Sequence, residues 1–257
     1  MVYLINKMRK EGAVMQKLYE KNELWFALVW IGVYVVGTSV ADRVSERIGP
    51  EKCMTLPFLL LLCALTLVWL SKNGLYRKYG LCRPKINAAG FLYYLPLAVL
   101  ASCNFWLGVS VNLSPLETAL YVGSMLCVGF LEELIFRGFL FRAMCRDNVR
   151  GAIIVSSLTF GIGHLVNLVN GSGMGLLANL CQVCYAAAAG FLFVLIFHKS
   201  GSLLPCIVTH GVLNACSAFA NEARVTAQSQ IVTSVILTVL SLGYALTLLK
   251  LPAKQDE

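Results

Sequence analysis

Residues 129–141 read GFLEELIFRGFLF, and two adjacent glutamates, Glu132 and Glu133, share this apolar stretch with Arg137. Between Thr118 and Phe141 the only other ionisable side chains are Tyr121 and Cys127. A charge held at bilayer depth costs about 2.5–3.5 kcal/mol on insertion scales. Packing alone does not justify three such charges in little more than one helical turn. The stretch therefore reads as a functional site inside a membrane protein.

The rest of the chain agrees. Its 257 residues are 58% hydrophobic and 13% charged, against about 25% charged in a soluble domain. The predicted fold is all-α, a polytopic membrane protein. Eight apolar runs long enough to span lie near 24–41, 56–70, 88–109, 118–142, 151–169, 176–197, 203–220 and 231–250. The net charge of +8 comes from basic residues in the short segments between these runs, which is a topology signal and not a nucleic-acid groove. Sixteen of the 21 Lys and Arg residues fall on one side of the predicted membrane and four on the other, with Arg137 inside a span. Both termini are accordingly predicted to be cytoplasmic, and the short loops and compact size suggest a bacterial plasma membrane. Residues 1–23 carry Leu4, Ile5, Met8, Met15, Leu18 and Tyr19 at roughly helical spacing, the pattern of an amphipathic helix on the membrane surface. The ten cysteines fall mostly in or beside apolar runs and read as small buried hydrophobes. The lone Cys181-x-x-Cys184 lacks the second pair that a metal site needs.

Three further polar residues sit in apolar runs: His164 in TFGIGHLVN, and His210 and Asn214 in VTHGVLNA. The remaining histidine, His198, stands beside Lys199 at a predicted helix end, where the helix dipole explains it. Glu133 and Arg137, Phe160 and His164, and His210 and Asn214 are each four residues apart, one α-helical turn. Glu132 is offset from Glu133 by about 100°. The expected division is that Glu133 pairs with Arg137 while Glu132 faces a cavity, aimed at His164. At 1.5 Å per residue, Glu132, His164 and His210 lie roughly 15, 20 and 10 Å from the cytoplasmic ends of their helices, so they can meet at one level. Gly138, Gly161, Gly163 and Gly211 beside them would permit close helix approach.

A carboxylate and an imidazole flanking a water can deprotonate it for attack on a carbonyl. A second imidazole and a carboxamide can donate hydrogen bonds to the oxyanion that forms. Amide hydrolysis is then the reaction class. In the main variant, Glu132, His164 and His210 ligate a divalent ion such as Zn²⁺. Two other classes fit less of the pattern: a non-enzymatic immunity or sensor protein, and a proton-coupled transporter using Glu132, His164 and His210 as a relay. A relay needs neither Asn214 nor a second glutamate. The sequence holds no H-E-x-x-H, the serine in Gly171-Ser-Gly-Met-Gly is misplaced for G-x-S-x-G, and Asp42, Asp147 and Asp256 all lie outside the spans.

The ordered set Glu132-Glu133-x-x-x-Arg137, Phe160-x-x-x-His164 and His210-x-x-x-Asn214, preceded by the Gly201-Ser202-Leu203 turn, resembles the three-motif signature of the CPBP family. That family, also called Abi, contains type II CAAX prenyl endopeptidases and bacteriocin-processing or immunity proteins. The resemblance covers about residues 117–220. It implies a catalytic core there, between N-terminal spans over 24–116 and a last span with cytoplasmic tail over 221–257. It further implies an intramembrane endopeptidase opening to the cytoplasm, in which Glu132 and His164 activate water, His210 and Asn214 stabilise the oxyanion, and Glu133 and Arg137 position the site. Phe160 is expected to pack on His164. The implied partners are the lipid bilayer and a membrane-associated peptide or prenylated protein, with no nucleic acid. The cofactor stays open between one divalent metal and none.

Overall fold

The structure, a computed structural model, describes residues 15–169 and 175–252. Its long helices are α1 (Glu23–Ile48), α2 (Thr55–Lys72), α4 (Pro115–Cys145), α6 (Leu176–Ser200) and α8 (Ala227–Leu249). Shorter ones are α3 (Leu95–Ala101), α5 (Val149–Gly163) and α7 (Leu204–Cys216). No strand forms among the described residues; one isolated bridge, Val109 to Ala220, ties the segment before α4 to the end of α7.

Local sequence explains most helix ends. The Asn22 side chain accepts from the Trp25 amide to start α1, and Ser114 and Glu117 form a reciprocal capping box around Pro115 to start α4. Asn148 caps α5, Thr226 and Ser229 cap α8, and Gly201 closes α6 at φ 69°. Valines and leucines such as Val36, Leu60, Val239 and Leu246 face outward. An outward apolar surface over long apolar helices is that of an integral membrane protein.

Six stretches are long and apolar enough to cross a bilayer: Glu23–Ile48, Thr55–Lys72, Ala88–Phe105, Pro115–Cys145, Leu176–Ser200 and Ala227–Leu248. The other two of the eight expected spans are shorter helices. α5 has 15 residues and α7 has 13, roughly 20 Å each and less than the hydrocarbon thickness. Hydropathy ran past both ends because the residues after them are also apolar. α5 gives way after Gly161 and Gly163, with His164 as its C-terminal cap, and α7 tightens into a 3₁₀ turn at Ser217–Phe219. The 88–109 run is also interrupted. Leu92, Tyr93 and Tyr94 take left-handed backbone angles just before α3.

The expected amphipathic N-terminal helix is described only from residue 15. Residues 15–21 are helical, and Met15, Leu18 and Tyr19 pack on the core between α1, α2 and α4, while residues 1–14 lie outside the described part. The centre of the molecule is the second half of α4. All nine residues of Glu133–Phe141 are buried, walled by Phe26 and Trp30 of α1, Trp69 of α2, Tyr79 of the following loop, and α5. α7 packs along the first half of α4, and α6 lies between α5 and α8.

Candidate functional site

The centre of α4 is not an α-helix throughout. Glu133–Phe141 is π-helical, with hydrogen bonds reaching one residue further along the chain than in an α-helix. Ser156 of α5, fully buried, donates from Oγ to the Phe136 carbonyl at 2.8 Å, inside this stretch. A four-residue spacing pairs Glu133 with Arg137 on an α-helix, and the backbone here is wider than that. The wider turn still brings them together: Arg137 Nη1 donates to Glu133 Oε1 at 3.1 Å, with both side chains fully buried.

Three more groups complete this inner cluster. His210 Nδ1 lies 2.8 Å from the same Glu133 Oε1. A carboxylate oxygen facing Arg137 accepts, so Nδ1 carries the proton and donates. The Arg137 guanidinium also stacks over the Phe160 ring, 3.9 Å from its centroid, and faces Phe193 at 5.7 Å. Phe160 in turn sets its ring against both imidazoles, at centroid distances of 5.1 Å to His164 and 5.7 Å to His210. Gly190 makes room for this arrangement. A Cβ there would lie 3.1 Å from Arg137 Nη2 and 3.3 Å from the Ser157 backbone.

Glu132 points elsewhere. Tyr34 of α1 donates from its hydroxyl to Glu132 Oε1 at 2.7 Å, and Glu132 Oε2 lies 3.5 Å from His210 Nε2, beyond ordinary hydrogen-bond length. Glu132 does face a cavity, of about 490 Å³, shared with Tyr34, His164, Asn214, Tyr121 and Gln182. His164 is on the same cavity, but the polar contacts of Glu132 are with Tyr34 and His210. His164 Nδ1 is 3.1 Å from the Phe160 carbonyl oxygen. A carbonyl only accepts, so Nδ1 holds the proton and Nε2 of the neutral ring is left as an acceptor. Asn179 of α6, fully buried, donates to the His164 backbone carbonyl at 3.3 Å and holds the end of α5.

α7 is brought to α4 by glycine against glycine. A Cβ on Gly129 would lie 2.5 Å from the Gly211 nitrogen and 2.6 Å from its Cα. No side chain fits between these backbones, and His210 thereby reaches both glutamates. Of the glycines singled out in the sequence, Gly211 and Gly161 are at such contacts, the latter against Val183 and Ala187 of α6. Gly163 has nothing within 4 Å.

The site thus brings together Glu132, Glu133, Arg137, Phe160, His164, His210 and Asn214 from three helices. Sequence reasoning missed Tyr34, Asn179 and Ser156. None carried a distinctive signal: Tyr34 shares its run with the hydroxyls of Thr38 and Ser39, and Ser156 with those of Ser157 and Thr159. Among the described residues no three His, Cys, Asp or Glu side chains converge to hold a metal ion. His210 and His164 each commit Nδ1 to a protein oxygen, which leaves Nε2 of each ring as the nitrogen that could meet a ligand.

Residues 114–216, from the N-cap of α4 to the end of α7, match the family model described as type II CAAX prenyl endopeptidase Rce1-like. The match agrees with the resemblance drawn from the three motifs, and the family is one of proteases. Neither a curated protein nor a solved structure matches the chain.

Proposed function

We propose that this protein is an intramembrane endopeptidase, as its Rce1-like segment implies, acting on a membrane-associated peptide or prenylated protein. The observation that carries the reading is the cavity. It is shared by a carboxylate, Glu132, and by an imidazole, His164, whose Nε2 is free to accept a proton.

A water between these groups gives up a proton to one of them as its oxygen attacks the scissile carbonyl carbon. The developing oxyanion takes a hydrogen bond from the Asn214 carboxamide, which lines the same cavity. His210 has its Nδ1–H committed to Glu133, so it contributes from Nε2 only as the doubly protonated ring, with a carboxylate on either side. The nitrogen leaves with the proton held by Glu132 or His164, and the C–N bond breaks. Glu133 and Arg137 are the frame: they fix His210 through Nδ1 and Phe160 through the guanidinium stack. The proposed orientation has both termini in the cytoplasm, from the distribution of Lys and Arg.

Quantitative mapping of protein termini in membranes carrying wild type, Glu132→Ala or His164→Ala tests the reading. Peptide ends that appear only with wild type are expected. If no end depends on both residues, the endopeptidase reading falls, and a binding role for the cavity takes its place.

A further inference from the structure

We propose that Tyr34 is a positioning residue for Glu132, its hydroxyl fixing one carboxylate oxygen so that the other is presented to the cavity and to His210; this rests on the peptidase reading above. The phenol donates to Glu132 Oε1 at 2.7 Å while Oε2 stands 3.5 Å from His210 Nε2. An ionised carboxylate receiving one short hydrogen bond loses the freedom to rotate about its terminal torsion. The phenol itself is held. Tyr34 is 6% exposed, and Phe26 and Trp30 of the same helix pack on Phe139 of α4.

The other polar groups around Glu132 cannot do this. Glu133 and Arg137, next on its own helix, are occupied with each other and with His210. His164 on α5 spends Nδ1 on the Phe160 carbonyl and shares only the cavity. His210 on α7 approaches the second oxygen alone. Tyr34 also stands outside residues 114–216, the segment that matches the family model. The site is therefore completed by α1, a helix that carries no motif.

A buried tyrosine could instead be satisfying its own hydroxyl at whatever acceptor lies near, with no consequence for the carboxylate. The two cases separate with full-length protein in native membranes, labelled with the apolar carboxyl reagent dicyclohexylcarbodiimide. Adducts at Glu132 and Glu133 are read separately by mass spectrometry. Tyr34→Phe removes only the hydroxyl and is expected to raise the Glu132 adduct severalfold with Glu133 unchanged. Trp30→Phe, one turn away on the same helix, is expected to change neither. An unaltered Glu132 adduct in Tyr34→Phe, or a rise at both glutamates from general loosening, overturns the proposal.

In cleavage assays with substrates found by terminus mapping, Tyr34→Phe should lower kcat about 10–100-fold, the range for one lost charge-assisted hydrogen bond, with KM within twofold. It should add no further loss in a Glu132→Asp background, where the shorter side chain already withdraws the carboxylate from the phenol. Multiplicative losses there overturn it. The labelling needs no turnover, so a chain that cleaves nothing defeats the peptidase reading while the adducts still decide on Tyr34.

Discussion

Replacing Arg137 by methionine keeps an unbranched side chain of broadly similar volume and removes the charged guanidinium. In the native protein this guanidinium is fully buried, donates to Glu133 at 3.1 Å and stacks on Phe160 at 3.9 Å. Removing one partner of a buried pair leaves the other uncompensated and costs about 3–5 kcal/mol. Loss of a desolvated cation–π contact is about 2 kcal/mol of the same order, partly recovered by the methionine sulfur on the ring. Arg137→Met should therefore destabilise the protein by about 3–5 kcal/mol. The double variant Glu133→Gln/Arg137→Met removes both charges, and the glutamine oxygen can still accept from His210 Nδ1. It should regain at least half of the loss, because a buried pair is close to neutral against an uncharged replacement of similar volume. Denaturant-driven unfolding in mixed micelles, followed by tryptophan fluorescence, gives both values and their coupling. A single variant costing less than about 1 kcal/mol, the range of an exposed pair, would refute the argument. So would a double variant no more stable than the single. Activity should not return with stability, since His210 would face a neutral amide in place of a carboxylate.

Three other outcomes follow from the same structure. Gly129→Ala forces a Cβ to within 2.5 Å of the Gly211 backbone; it should cost about 1–3 kcal/mol or more by overpacking and abolish cleavage by pushing α7 away. Gly243→Ala in α8, with nothing within 4 Å, should leave both thermal stability and cleavage intact. Asn214→Ala should lower kcat by about 10²–10³ with KM little changed, the signature of a lost oxyanion donor. A change confined to KM would move Asn214 from the oxyanion to ground-state binding.

The parts of this site that were legible in the sequence are those whose cost announces them. Charges in an apolar run stand out because insertion penalises them, and Glu133 with Arg137 could be paired from spacing alone. Phe160 against His164 was equally readable, both residues belonging to one helix end. What escaped are contacts set by tertiary placement. Tyr34 reaches Glu132 across 98 positions of chain, and a tyrosine in a span is ordinary enough to pass as an interface residue. The π-helix has no compositional mark: Leu134, Ile135 and Phe136 suit an α-helix equally well, and the wider turn is held by packing from outside, with Ser156 on the Phe136 carbonyl. The ends of α5 and α7 were missed because hydropathy sums side chains and does not see where the backbone stops being helical. Glycines were flagged as points of approach, but which of them touch a neighbour depends on helix rotation. Gly129, which was not singled out, packs directly on the Gly211 backbone, while Gly163 touches nothing.

The π-helical stretch has a consequence for how this chain can change over generations. Going from α to π geometry amounts to accommodating about one surplus residue in a turn, so deleting any one residue of Glu133–Phe141 would let the helix relax into the commoner form. Such a deletion would leave the parts of α4 before and after it close to their present orientation, because the surplus residue is what the wider turn absorbs. What would change is local: the Phe136 carbonyl that takes the Ser156 hydroxyl and the wide turn that joins Glu133 to Arg137 both lie within the stretch. The chain could still insert and pack, with the inner cluster rebuilt on a tighter turn. This segment is therefore the one place in α4 where the chain can lose a residue without turning Glu132 away from Tyr34.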